Sequence, residues 1–219
     1  MSTALITGAS RGLGRALATA LLRDGFRVAG VARDEAPLRA ALEAIGGHVI
    51  VDDVGDPDAA ARIAGQALAE LGRVDLLVHN ASTLGAVPLP LLADMRPEDV
   101  ARAFEVNVLG PFRLTRLLVG PMLLRGHGTI VWISSDAARN AYPNWGAYDA
   151  SKAALEHMAR TFAAELEGTG VRSLVLDPGE MDTRMHADAL PDADPVTLLR
   201  PEDAATAVLA ALLGEGVHA

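Results

Sequence analysis

Thr3-Ala4-Leu5-Ile6-Thr7-Gly8-Ala9-Ser10-Arg11-Gly12-Leu13-Gly14 is the stretch that decides the fold. Thr3–Thr7 reads as a strand, and a helical pattern runs over about Leu13–Arg23. The glycines between them keep the turn tight, let the backbone approach a pyrophosphate and let the helix pack close to the strand. Outward from this stretch, short β-rich runs keep alternating with longer helical ones. Further strands are expected at Arg27–Ala32, His48–Asp52, Val74–Val78, Thr129–Ser134 and Val171–Leu176. Helices are expected at about Ala36–Ala44, Pro57–Leu71, Pro97–Leu124, Ala147–Glu167 and Glu202–Leu213. Gly110, Pro111, Gly120 and Pro121 require the segment Pro97–Leu124 to bend or break. Only Met181–Pro201 reads as irregular over any length. Such alternation predicts an α/β fold, a doubly wound parallel sheet of strand order 3-2-1-4-5-6 with its ligand over the carboxyl ends of the strands.

The 219 residues are read as one domain, 1–219, with a core built from Ala, Val, Leu and Ile because half the chain is hydrophobic and only 4% is aromatic. A net charge of -9 argues against nucleic acid or an anionic membrane as partner. The absence of cysteine excludes disulfides, thiolate metal sites and a cysteine nucleophile, and no metal is called for. The N-terminus lacks the pattern of a signal peptide, and no run approaches the roughly 20 apolar residues of a membrane span. A soluble, cytoplasmic protein is expected.

The chain holds a single lysine, Lys152, among arginines. Lysine differs from arginine in being a compact point charge whose pKa moves. Tyr148 stands four residues earlier and so shares its helix face. A cation there favours phenolate and lowers the tyrosine pKa, which suits a general acid and base.

The spacing Gly8-x-x-x-Gly12-x-Gly14 is similar to that of the classical short-chain dehydrogenases/reductases. The resemblance extends from Thr3 to about Leu213 through Asp53-Val54, His79-Asn80-Ala81-Ser82, Asn107, Ser134-Ser135, Tyr148-Asp149-Ala150-Ser151-Lys152 and Pro178-Gly179-Glu180-Met181-Asp182-Thr183. It implies an oxidoreductase moving a hydride between a nicotinamide cofactor and a carbonyl or alcohol. Tyr148 would exchange the proton with the substrate oxygen, Ser135 would hold that oxygen, and Lys152 would tune Tyr148 and hold the ribose hydroxyls. Asn107 would complete a proton relay through water. Gly8, Ser10, Arg11, Gly12, Leu13 and Gly14 would carry the pyrophosphate turn. Asp53 would bond the adenine amino group with the backbone of Val54, and Asn80 and Ala81 would close over the cofactor. Pro178, Gly179, Met181 and Thr183 would lie at the nicotinamide. His79 and Ser82 depart from the family's usual Asn-Asn-Ala-Gly; His79 reads as a packed residue, Ser134 as structural.

Strand two ends Val31-Ala32-Arg33-Asp34. NAD-binding members place an acid at this point. Arg33 in that position, with Arg11 approaching from the turn, favours NADP(H) over NAD(H) through a 2′-phosphate; a shift of one residue would give the position to Asp34. The resemblance puts Asn140, Tyr142, Trp145, Met181, Met185 and His186, with Arg184 or Arg139, at the substrate, and an apolar or mildly polar small carbonyl compound is expected. The second reading is a cofactor-binding sensor or scaffold without catalysis. The family's seventh strand is expected to be absent. A homodimer is expected through the helices 106–124 and 147–167, using Leu109, Phe112, Leu117, Leu118, Leu155, Met158, Phe162 and Leu166.

Overall fold

A computed structural model describes residues 1–214. β1 (Thr3–Thr7) is buried at every position and lies inside a six-stranded parallel sheet. The other strands are β2 (Arg27–Ala32), β3 (His48–Val51), β4 (Leu76–His79), β5 (Gly128–Ile133) and β6 (Val171–Leu176), and the order is 3-2-1-4-5-6 as the alternation predicts. The helices are α1 (Gly12–Arg23), α2 (Glu35–Leu42), α3 (Ala59–Leu71), α4 (Pro97–Phe104), α5 (Gly110–Arg125), α6 (Gly146–Glu165), α7 (Arg184–Ala189) and α8 (Pro201–Gly214).

Successive strand side chains point to opposite faces, and the central strands β1, β4 and β5 are buried on nearly every position of both faces, so they are largely apolar. Leu5, Val31, Leu77, Ile130 and Trp132 pack with Ile63 of α3, Leu114 and Leu118 of α5 and Leu155 of α6. Ala4, Ile6, Val28, Val78 and Ile133 pack with Leu17 of α1, Leu38 of α2 and Val208 of α8 on the other side. A fully buried leucine or isoleucine stabilises by roughly 1.5–3 kcal/mol, so the two layers fix the carboxyl ends of the strands, where the site lies. Among the described residues no helix is long and apolar enough to cross a membrane.

Several boundaries differ from the sequence reading for local reasons. Pro57 precedes α3 instead of opening it, because the Asp56 carboxylate accepts the Asp58 backbone N–H at 3.0 Å and holds a turn there. The fourth strand begins at Leu76. The segment Pro97–Leu124 does not break: a π-helical turn over Glu105–Leu109 joins α4 to α5, and Pro111 falls at the start of α5, where no N–H is needed. Residues 181–201 hold α7, a short 3₁₀ turn at Pro195–Thr197 and a bridge between Met181 and Leu199. Of the apolar residues assigned to a dimer face, Leu118, Leu155 and Leu166 belong instead to the core of the chain. The region of the expected missing strand, 215–219, lies outside the described residues.

Candidate active site

Between β1 and α1 the chain turns back on itself through Gly8, whose φ of +72° suits glycine and whose missing Cβ would meet the Asn80 side chain at 2.8 Å. At Gly14 a Cβ would stand 2.3 Å from the Gly8 carbonyl oxygen, so only glycine lets α1 sit this close to the strand. Asn80 locks the turn by donating to the carbonyls of Thr7 and Gly8 at 2.9 and 3.2 Å. No side chain caps the N-terminus of α1, and its first turn carries no acid. Its N–H groups are therefore open to an anion.

From this turn a cavity of about 1400 Å³ runs over the carboxyl ends of the strands to α6. Of the residues expected for catalysis and cofactor binding, all but Gly14 and Asn107 line it: Gly8, Ser10, Arg11, Gly12, Leu13, Arg33, Asp53, Val54, Asn80, Ala81, Ser135, Tyr148, Lys152, Pro178, Gly179, Met181 and Thr183. At one end, each carboxylate is already matched by an arginine: Asp34 with Arg11 at 2.9 Å, Asp52 with Arg62 at 2.8 Å and Asp53 with Arg102 at 2.6 Å. Arg33 and Arg15 line the same end, and among the described residues neither has a carboxylate partner. Arg11 thus neutralises Asp34, and the excess charge there is positive.

At the other end, Tyr148 and Lys152 lie one turn apart on the buried face of α6. Burial pushes the Tyr148 hydroxyl up to about 12; a hydrogen bond with Ser135 opposes the rise, while Asp177, Asp136 and Asp149 add to it. Burial pushes Lys152 down to about 8, with Asp177 and Glu156 favouring its charge. The expected lowering of Tyr148 by Lys152 is therefore absent among the protein's own groups. The Lys152 Nζ lies 5.6 Å from the ring centre and donates to the Ile133 carbonyl at 2.7 Å. Two further ammonium hydrogens remain for a ligand. At neutral pH Tyr148 carries its proton. Ser135 donates to Asp136 at 3.0 Å and accepts from the Ala137 N–H.

Asn107 lies beneath the cavity, 1% exposed, inside the π-helical turn. It is no surface residue. Its carbonyl oxygen accepts from Ser82 Oγ at 3.1 Å and the Thr83 N–H at 2.8 Å, and its amide donates to the Thr83 carbonyl and Ser151 Oγ. With that side chain so occupied, a relay would have to run through its main chain. The hydroxyl of Ser82, unusual for the family, thereby gains a use: it ties the loop after β4 to Asn107. His79 is packed, as expected: its ring lies tilted against Trp132 with ring centres 4.6 Å apart, approaches Thr115 Oγ1 at 2.8 Å, and burial pushes it down to about 3. Ser134 donates to Glu156 inside the protein at 2.8 Å.

On the substrate side Tyr142, Trp145, Met181, Met185, His186 and Arg184 line the cavity. Asn140 and Arg139 do not; Asn140 donates to the Asp136 carbonyl, and Arg139 pairs with Asp177 at 2.9 Å. Leu84, Val87 and Leu190 line it too and had no signal in the sequence beyond being apolar residues of loops. Leu84, Ala137 and Tyr148 form a small apolar cluster with Leu89, Trp145, Met185 and Ala189 packed on it. Among the described residues no group of three or more acidic or histidine side chains is placed to hold a metal.

A family model described as short chain dehydrogenase matches residues 2–194. The chain is 40% identical over 193 residues to a short chain dehydrogenase of Pseudocercospora fijiensis, covering 84% of this chain and 61% of the length of that relative. It is 34% identical over 184 residues to the 3-oxoacyl-[acyl-carrier-protein] reductase FabG of Escherichia coli K12, covering 83% of this chain and 74% of that one. A protein of Escherichia coli CFT073 crystallised in complex with NADPH superposes with a TM-score of 0.88 at 31% identity, over 95% of this chain and 89% of that one.

Proposed function

The chain belongs to the short-chain dehydrogenase family, and from that premise we propose that it is an NADP(H)-dependent carbonyl reductase, running in reverse as an alcohol dehydrogenase, on a small and mainly apolar substrate. One observation carries the reading: Ser135, Tyr148 and Lys152 converge at one end of a cavity whose other end is a glycine turn with arginine in excess.

The residues fit a dinucleotide. The cradle left by Gly8 and Gly12, together with the uncapped start of α1, suits a pyrophosphate. Arg33, without a carboxylate partner among the described residues, suits a 2′-phosphate, and neighbouring structures complexed with NADP or NADPH agree with that choice. Asp53 and Val54 would border the adenine, while Asn80 and Ala81 would close over the middle. Pro178, Gly179, Met181 and Thr183 would border the nicotinamide, with two hydrogens of Lys152 left for the ribose. NADPH held this way supplies the hydride.

The chain's own groups do the rest. Ser135 turns its hydroxyl from Asp136 to the substrate oxygen, exchanging one hydrogen bond for another. Tyr148, protonated because burial raises it to about 12, gives its proton to that oxygen as the carbonyl carbon is reduced. The phenolate that forms is stabilised by the ammonium of Lys152 beside it. Tyr142, Trp145 and the cluster around Leu84 exclude water and favour an apolar substituent. Retention of all three catalytic side chains around one cavity weighs against a sensor or scaffold. The same reading puts the enzyme in the cytoplasm as a homodimer, two-fold through α5 and α6, where Leu117 is exposed and Phe112, Met158 and Phe162 are half-buried, with the half-buried Leu109 just before α5. Light scattering at micromolar concentration checks the dimer, and a stable tetramer would contradict it. For the activity, ketones, aldehydes and quinones are assayed by NADPH oxidation. Turnover of at least one apolar carbonyl compound is expected, and a panel without any turnover, despite NADPH binding, would favour the sensor.

A further inference from the structure

Glu156 is 2% exposed and lies one turn beyond Lys152 on the same face of α6. A carboxylate so deep in a protein is costly unless several donors meet it. Here they do. Ser134 Oγ donates at 2.8 Å, the Arg160 guanidinium pairs with the other oxygen, and Arg139 Nε stands 4.0 Å away. Arg139 also holds Asp177 at 2.9 Å, so one arginine spans the two carboxylates that flank the lysine. Ser134 follows Ile133, whose carbonyl takes the Lys152 ammonium, and precedes Ser135. The buried acid is thus fixed to the strand end that carries the site.

We propose that Glu156 is a positioning residue for Lys152, whose buried carboxylate keeps the ammonium charged and directed at the Ile133 carbonyl. Glu156 touches neither substrate nor cofactor in this account; it acts through the lysine. The proposal rests on the catalytic reading above only for its consequence in turnover. The groups facing Lys152 are few. Tyr148 and Glu156 come from α6, the Ile133 carbonyl from β5, and Asp177 from the segment after β6. Burial alone works against the charge, and Asp177 and Glu156 are the groups that sustain it. Of the two, Asp177 favours the charge more strongly, but it is 28% exposed and held by Arg139, whereas Glu156 is 2% exposed and held on the helix face of the lysine. Arg160 and Arg139, themselves more than half exposed, offset part of the field of Glu156.

The chain's single lysine makes the test direct, because lysine labelled with ¹³C at Cε gives one side-chain resonance whose pH titration reports Lys152 alone. Glu156→Gln keeps the shape and the acceptor for Ser134 but loses the charge. Its titration midpoint should fall by about one pH unit from the wild-type value, while Glu156→Asp should stay near wild type. The pH profile of kcat should move with it, toward lower pH, with KM for the cofactor changed less than kcat. A folded Glu156→Gln protein whose lysine midpoint stays at the wild-type value would overturn the proposal and leave Glu156 as a structural link. Should that variant not fold, Arg160→Gln serves, because removing an exposed cation from the carboxylate should raise the midpoint; an unmoved or lower midpoint would overturn the proposal as well. A midpoint that moves as expected in a protein that reduces no carbonyl compound would uphold the role of Glu156 and count against the reductase reading instead.

Discussion

The two walls of the cavity are built differently. One wall, made by the turn 8–14, the end of β5 and the face of α6, consists of groups whose positions are dictated by packing: Tyr148 and Lys152 are 8% and 3% exposed, and Gly14 has no room for a methyl group. The other wall comes from the loop after β4 and from residues 181–190, and it presents exposed apolar side chains such as Val87 and Leu190. The first wall is determined many times over by backbone contacts and buried hydrogen bonds. The second is free to vary without disturbing the core. On the proposed reading the chemistry falls on the first wall, because proton transfer needs fixed distances, and substrate choice on the second, because changing it costs the fold little.

The largest expected effect tests the fixed wall at its reacting group. Tyr148→Phe should lower kcat by about three orders of magnitude while NADPH still binds, measured by steady-state kinetics beside a fluorescence titration. Lys152→Arg should lower kcat by about a hundredfold, since the buried pocket against the Ile133 carbonyl suits a compact ammonium and not a planar guanidinium. Near-normal turnover in Lys152→Arg would erase the contrast between the walls.

Gly14→Ala should destabilise the fold by about 2 kcal/mol, read from denaturant melts, because its Cβ would sit 2.3 Å from a backbone oxygen. At the far end, Arg33→Asp should swing the preference from NADPH toward NADH by about tenfold or more, read as the ratio of dissociation constants. NADH binding tighter than NADPH in the wild type would move the assignment from Arg33 to Asp34, despite the pairing of Asp34 with Arg11. The smallest effect is expected on the variable wall. Leu190→Ala should change stability by no more than about 0.5 kcal/mol and shift KM among substrates while leaving kcat for the best of them nearly intact. A large loss of kcat there would show that the second wall also positions the reaction.

This contrast also explains what the amino-acid sequence disclosed. The strand order was legible because apolar runs and glycine turns alternate regularly, and the placing of Tyr148 and Lys152 on one buried helix face because one lysine stood a helical turn from a tyrosine. The continuity of the segment through 105–109 was hidden, since nothing in Glu105-Val106-Asn107-Val108-Leu109 marks a π-helical turn that carries the helix on into Gly110 and Pro111. The raised pKa of Tyr148 was hidden too, because a residue's neighbours in sequence give its charge partners and not its depth. Glu156 looked like any helix glutamate; its burial depends on Ser134, Arg139 and Arg160 arriving from three places in the chain. The mouth of the cavity was the least legible part, for Val87 and Leu190 become site residues only through where their loops end.

The central claim is that Tyr148, set against Lys152 and Ser135, completes hydride transfer from NADPH to a carbonyl carbon. Its most direct test uses NADPH carrying deuterium at the transferable position, with the best carbonyl compound of the panel, and mass spectrometry of the alcohol formed. The account predicts one deuterium bound to carbon per turnover in the wild type and almost none formed by Tyr148→Phe over the same time. Alcohol without carbon-bound deuterium, or labelled alcohol formed equally fast by Tyr148→Phe, would contradict it.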